Sequence, residues 1–300
     1  MGVVLARTSM SPVIYEVLDF ACGICDNKGN LISQTNGVTL FTGTFSTQVK
    51  YIINKFGKNI SNGDIYLTND PFTGGTHPCD FAIIKPIFFK NKIVTFSISV
   101  AHWIDVGGSI AGSLPPDSDS MFKEGIRFSG VKLCENETLL PDIVSIILEN
   151  VRFPKFAMGD LNAQIAAVKI ADKRIKEAYE KYGSKKINVA FKKILLDSER
   201  QSRKIISNLP NGIYKAKDCI DGDGFVEDKI PIQISIEIKG SNIIFDYTGC
   251  PAVRNAPINC SLGALTSAVK TVFKALVEPF APSNEGYFKP MKIVILETLY

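Results

Sequence analysis

The chain has 300 residues, 34 of them basic and 30 acidic, with a net charge of +4 and 45% hydrophobic residues. That composition excludes a disordered chain, which buries too little apolar surface to offset its ordering entropy. It offers no basic stripe for nucleic acid, and no run approaches the ~18 apolar residues of a membrane span.

The first residues, Met1-Gly2-Val3-Val4-Leu5-Ala6-Arg7, lack the basic-then-apolar order of a secretory signal. Ala6 stands where a myristoylation motif needs Ser or Thr. The chain reads as cytoplasmic. Its seven cysteines are odd in number and scattered, which fits free thiols in a reducing compartment.

Residues 13–55 read as short strand-like runs split by turns, with Asp26-Asn27-Lys28-Gly29-Asn30 the clearest turn. Ser61-Asn62-Gly63-Asp64 turns into Ile65-Tyr66-Leu67. A glycine-rich loop follows, from Asn69-Asp70-Pro71 through Gly74-Gly75-Thr76-His77-Pro78. Strands are expected over 81–89 and 93–102, split by Lys90-Asn91-Lys92, with Pro86 confining the first to a sheet edge. A second loop, 105–120, holds Gly107-Gly108. Helix dominates from 141 to 208, with Gly183 as a stop and a second helix over 187–206. Ile232, Ile234, Ile236 and Ile238 alternate with polar residues, the mark of a half-buried strand. A last helix is expected over 262–277. The mixed order makes the fold α+β, with mixed or antiparallel sheets and a central helical segment. A boundary near 208–225 divides it into regions 1–208 and 209–300, the second β-rich.

The two histidines, His77 and His102, each have an aspartate three residues on, Asp80 and Asp105. The hairpin serves as a ruler. With a three-residue loop centred on Asn91, Asp80 faces His102, and paired Cβ atoms lie ~4.5–5.5 Å apart. A two-residue loop would shift the pairing by one. Pro78 and the glycines let His77 fold back over the pair. Two imidazoles and a carboxylate suit Zn, Fe or Mn, with Asp105 as a fourth ligand or an acceptor for an imidazole N–H. The alternative is a core His102 paired with Asp80 and an exposed His77, and spacing alone leaves both open.

Other signals are weaker. Cys22-Gly23-Ile24-Cys25 has no second pair or nearby histidine and reads as packing. Asp221-Gly222-Asp223-Gly224 lacks the closing Glu of a calcium loop and reads as a turn. There is no phosphate-binding P-loop, dinucleotide fingerprint or G-x-S-x-G elbow.

The stretch from Asn69 to Asp80 resembles the glycine-rich signature of the hydantoinase B/oxoprolinase family. Ala101-His102-Trp103-Ile104-Asp105-Val106-Gly107-Gly108 resembles its second signature. The likeness continues through Glu124-Gly125-Ile126-Arg127, Asn150-Val151-Arg152, Gly159-Asp160 to Ala167, Phe245-Asp246-Tyr247-Thr248-Gly249 and Asn284-Glu285-Gly286. It implies a B-type component of an ATP-dependent enzyme opening a cyclic amide such as 5-oxoproline or N-methylhydantoin. A hydantoinase A-type partner would bind the ATP, and a divalent metal would be held by His77, Asp80 and His102. Asp105 would orient a ligand or take a proton, and Asn69, Asp70 and Thr76 would contact substrate. A B-like component of an acetone or acetophenone carboxylase, or a silent scaffold, are the alternatives. Many relatives carry two adjacent histidines where this chain has His102-Trp103. Family members are also expected to have a short segment before Met1 and a long one after Tyr300.

Overall fold

A computed structural model describes residues 1–35 and 37–296. Two sheets organise them. The first has seven strands in the order β2-β1-β5-β4-β3-β6-β7. These are Phe20–Asp26 (β1), Leu31–Gln34 (β2), Ile65–Thr68 (β3), Asp80–Phe89 (β4), Lys92–His102 (β5), Val131–Glu135 (β6) and Thr138–Leu139 (β7). All its pairings are antiparallel.

Helices cover both faces of this sheet. Helix α3 (Thr39–Phe56) puts Phe41, Phe45, Val49 and Ile52 onto Ala82, Ile84, Ile98 and Val100. On the other face Leu161, Ile165 and Val168 of α5 (Pro154–Tyr182), with Ile147 of α4 (Pro141–Asn150), meet Leu67, Phe81 and Ile83. Burial on both faces explains why Phe81-Ala82-Ile83-Ile84 is a continuous apolar run. Two short helices, α1 (Gly2–Thr8) and α2 (Pro12–Tyr15), close the end of β1 through Leu5 and Ile14.

The second sheet follows α6 (Ser184–Ile206), with order β11-β10-β9-β8. Its strands are Gly212–Ile220 (β8), Ile230–Lys239 (β9), Asn242–Asp246 (β10) and Met291–Val294 (β11). Helices α7 (Leu262–Val277) and α8 (Glu285–Phe288) pack Val269, Phe273, Tyr287 and Phe288 against Ile238, Ile243 and Phe245. Helix α7 also crosses α3 closely. A Cβ on Gly43 would run into the Ser267 hydroxyl, which donates to the Leu40 carbonyl.

The α+β class holds, as does helix across 141–206 with a break at Gly183, and α7 matches its expected bounds. Three expectations are corrected. Residues 39–56 form a helix rather than strands, because their apolar residues recur at helical spacing against β1 and β5. Strand β4 is interior, not an edge. Continuing the β3–β4 register puts Pro86 opposite Asp64, one residue before β3 begins, so its missing N–H breaks no bond of that ladder. The hairpin loop has two residues, Lys90 and Asn91, both at positive φ (50° and 59°), the signature of a type I′ turn. A bulge past Ile87, where Val94 is the extra residue, restores the register, and Asp80 does pair with His102.

Candidate metal centre

His102 is the last residue of β5 and Asp80 the first of β4, so the ladder fixes both backbones. The glycine-rich loop then doubles back, and the His77 carbonyl accepts from the Asp80 amide. Asp80 gathers the side chains. Its Oδ1 lies 3.0 Å from His102 Nδ1 and its Oδ2 lies 2.7 Å from His77 Nδ1. The Thr76 hydroxyl and the His77 amide also donate to Oδ2. The imidazoles meet edge to face, with centroids 5.2 Å apart. Ligand atoms of His77, Asp80 and His102 all lie within 4.8 Å of one another.

Burial pushes the Asp80 carboxyl up, but His102 and His77 outweigh it and hold the pKa below the usual carboxylate range. Burial works against the charged form of His77, and Asp80 outweighs that too, raising its pKa. One atom tests whether a cation fits. His77 Nδ1 is buried and has no hydrogen-bond partner, although a carboxylate oxygen stands 2.7 Å away. A buried ring nitrogen unpaired beside a carboxylate oxygen fits a cation bound between them. Two imidazoles and a carboxylate suit Zn, Fe or Mn.

A further carboxylate was missed in the sequence. Asp19 precedes β1, and its backbone carbonyl accepts from the His102 amide. Burial raises its pKa, and the charges of His102, Asp80 and His77 act on it. The pairing of Phe20 with Ala101 brings it there. Only a carboxylate at the start of a strand marked it in the sequence. Leu18, just before it, holds a left-handed φ of 61°.

The other candidates divide. Thr76 lines a cavity of about 1100 Å³ that reaches His77 and Asp80; Asn69 and Asp70 do not. Asn69 is spent inside the loop, donating to the Pro78 and Ile126 carbonyls and accepting from the Phe128 amide. Asp70 caps the Pro71–Thr73 turn through the Phe72 amide and accepts from Ser129. Asp105 is not brought into the His–Asp–His group. Its buried carboxylate accepts from the Gly107, Gly112 and Arg152 amides and from the Arg152 guanidinium. Four donors occupy the roughly four lone-pair sites of a carboxylate. Burial would raise its pKa, yet these bonds hold it low.

Helix α5 braces the site from behind. Trp103, buried beside His102, stacks on Phe81 at 4.0 Å and donates its indole N–H to Gln164 Oε1 at 2.9 Å. Gln164 in turn donates to the Phe81 and Ser99 carbonyls. Thus position 103 packs rather than ligates. One turn earlier, Asp160 accepts from the Met10 and Ser11 amides, tying down the segment that leads to Asp19. The second region closes the front. Ser261, the N-cap of α7, donates to the Gly75 carbonyl, and Arg254 and Asn259 line the cavity.

A helix-covered first sheet with two histidines and an aspartate converging at one strand end, walled by a second sheet's helix, defines an α+β fold with a candidate metal centre. The chain belongs to the hydantoinase B/oxoprolinase family, whose model matches residues 1–299. It is 34% identical to an uncharacterised protein of Methanocaldococcus jannaschii, covering 99% of this chain and 53% of that one. It is 31% identical to the B component of a putative D-/L-hydantoinase from a Pseudomonas species, covering 98% and 52%. The crystal structure of the ATP-dependent caprolactamase from Pseudomonas jessenii superposes with a TM-score of 0.92 at 25% identity, covering 97% and 50%. Acetone carboxylase shares the fold, with a TM-score of 0.87 at 20% identity, covering 97% and 41%. The chain spans about half the length of the first three of these relatives.

Proposed function

We propose that this chain is part of the B-type component of an ATP-dependent cyclic-amide hydrolase, acting on a ring such as 5-oxoproline or N-methylhydantoin. A hydantoinase A-type partner binds the ATP and activates the ring. The observation that carries the reading is the convergence of His77, Asp80 and His102 in a chain that matches the family from end to end. Those three residues would hold a divalent metal, with Asp19 as a further carboxylate beside it. When bound, such an ion polarises an oxygen of the substrate or lowers the pKa of a water.

The chain's own residues do the rest. Asp80 bonds the His102 imidazole, lies beside that of His77 and keeps its charge. Thr76 fixes the carboxylate's second oxygen and faces the cavity. Asp105 shapes the loop after His102 instead of moving a proton, because its lone pairs are already taken. Asn69 and Asp70 set the curvature of the glycine-rich loop. We read the chain as two domains, 1–208 and 209–300, each with its own sheet.

The test is metal analysis of purified wild type and His102→Ala, followed by an ATP-dependent assay with the A-type partner on 5-oxoproline, N-methylhydantoin and acetone. About one transition metal per chain in wild type, its loss in the variant, and turnover of a cyclic amide are expected. Carboxylation of acetone in place of ring opening would favour the carboxylase reading.

A further inference from the structure

The loop that follows His102 returns to the cavity with another carboxylate. Gly107 and Gly108 turn at positive φ of 88° and 81°, and Gly125 does so at 120°. The two turns lie backbone against backbone. A Cβ on Gly108 would strike the Lys123 carbonyl and the Gly125 amide, and one on Gly125 would strike the Val106 carbonyl. Hydrogen bonds close the same seam. The Ser109 amide donates to the Lys123 carbonyl, and the Ile126 amide to the Val106 carbonyl, both at 2.8 Å. Arg152, which also bonds Asp105, donates to the Gly107 and Gly108 carbonyls. Glu124 lies between these ties, so its backbone is fixed relative to the end of β5.

The Glu124 side chain lines the cavity that reaches His77 and Asp80. Burial lowers the His77 pKa and Asp80 raises it, and the charge of Glu124 adds to the raising side. Three carboxylates line this cavity among the described residues, and their commitments differ. Asp80 bonds the His102 imidazole and Thr76 and lies beside His77. Asp119 is 53% exposed and pairs with Lys123 at 3.1 Å. Glu124 accepts from the Ser118 hydroxyl at Oε1, at 3.0 Å, and among the described residues nothing donates to its Oε2. The lone pairs of Asp105 are filled, whereas one oxygen of Glu124 stands open to the cavity.

We infer that Glu124 is the proton carrier of the reaction, taking a proton from the attacking water and passing it to the ring nitrogen. The inference rests on the cyclic-amide reading proposed above. An O–H bond of the water breaks and its proton goes to Glu124, while the water oxygen forms a C–O bond to the activated amide carbon. The C–N bond then breaks, and its electron pair leaves with the nitrogen, which takes the proton from Glu124. The sum is one water added across one C–N bond. Position is the first demand on such a group, and a built turn supplies it here.

The experiment uses the complete protein assembled with its A-type partner, with ATP and 5-oxoproline or N-methylhydantoin, and compares Glu124→Gln with Glu124→Asp. Glutamine has the size of glutamate and can still accept from Ser118, but it takes no proton. Aspartate is one methylene shorter and sits farther from Ser118, yet it keeps a basic carboxylate. Glu124→Gln should lower kcat ~100-fold or more with KM little changed. Glu124→Asp should retain more activity than Glu124→Gln, an order that a merely structural role reverses. Metal content and Tm of Glu124→Gln should match wild type. A Gln variant as active as wild type, or more active than the Asp variant, overturns the inference. Loss of metal from the Gln variant overturns it too, because Glu124 is then a ligand. A wild type that opens no cyclic amide fails the functional reading and this inference with it, whereas an active wild type with an unimpaired Gln variant sinks the inference alone.

Discussion

The two sheets of this molecule are built to different standards of enclosure. In the first, β4 and β5 are interior strands with helices on both faces, and Ile83, Ile84, Ile98 and Ala101 are fully buried. In the second, β8 lies bare and the outer side of α7 is apolar and uncovered. The candidate metal centre sits at the end of the enclosed pair, where the ladder fixes two of its three groups before any ion arrives. The second region supplies walls instead: the N-terminus of α7 and the 253–261 loop. Rigid strands hold the candidate centre, and the less enclosed region walls the cavity beside it. Such a division follows from physics, since ligand geometry tolerates little slack while a cavity wall tolerates more.

The sharpest way to break this comparison is at the centre itself. His102→Ala removes a candidate ligand without touching the core, because the residue lies at the end of β5. Metal content should fall from about one per chain to a small fraction, with the thermal transition of the metal-free protein little changed. Equal metal in both proteins would place the ion elsewhere. A large loss of stability without metal would mean that His102 is a packing residue after all.

The enclosure of the site is tested next through Gln164. Gln164→Leu leaves the buried Trp103 indole N–H without an acceptor and removes donors from the Phe81 and Ser99 carbonyls. An orphaned buried donor costs ~1–3 kcal/mol, so a loss of roughly 2–4 kcal/mol is expected in urea unfolding. Metal affinity should weaken as well, by about 10-fold or more, as when a supporting group is removed behind a ligand. If stability falls while affinity holds, Trp103 does not position His102.

Much of this was legible in the sequence, for identifiable reasons. Asp80 and His102 could be paired by arithmetic because hairpin registers are nearly integers. The answer survived a wrong loop length because the bulge at Val94 compensated for the shorter turn. Gly183 and the α7 bounds were readable as helix punctuation. Helix α3 was not, since Thr, Val, Ile and Phe favour strands locally and only the 41-45-49-52 spacing spoke for helix. Asp19 was illegible because the β1–β5 pairing that delivers it is long-range. Asn69, Asp70 and Asp105 read as site residues in the sequence; the structure shows each hydrogen-bonded to neighbouring loop groups, partners that the sequence does not reveal.

The junction between the regions gives a smaller, pH-dependent effect. Glu285 of α8 accepts from Ser46 of α3 and lies 3.5 Å from the Lys270 amine. Burial raises its pKa, but Lys270 and Ser46 outweigh it, so the folded value lies below the ordinary one. A group with a depressed folded pKa adds stability above its unfolded pKa, and that stability is lost as pH falls through the folded one. Glu285→Gln should therefore cost ~1–2 kcal/mol at pH 7, with the difference from wild type shrinking below pH ~4.5. A difference that stayed constant or grew on acidification would remove Glu285 as the charged tie between the regions.

The smallest expected effect sharpens the contrast most directly, because one substitution is made on both sheets. Ile83 in β4 is fully buried, whereas Ile213 in β8 is 65% exposed. Ile→Thr removes apolar surface and introduces a hydroxyl. At position 83 the hydroxyl enters a core of Leu67, Phe81, Leu161 and Val168, so roughly 2–3 kcal/mol of stability should be lost. At position 213 the isoleucine already meets water, threonine suits a strand, and the change should stay within ~0.5 kcal/mol. Urea midpoints of the two variants in the free chain measure both numbers on one scale. If Ile213→Thr costs as much as Ile83→Thr, β8 is already covered in solution, and the difference in enclosure between the two sheets is not a property of the free chain.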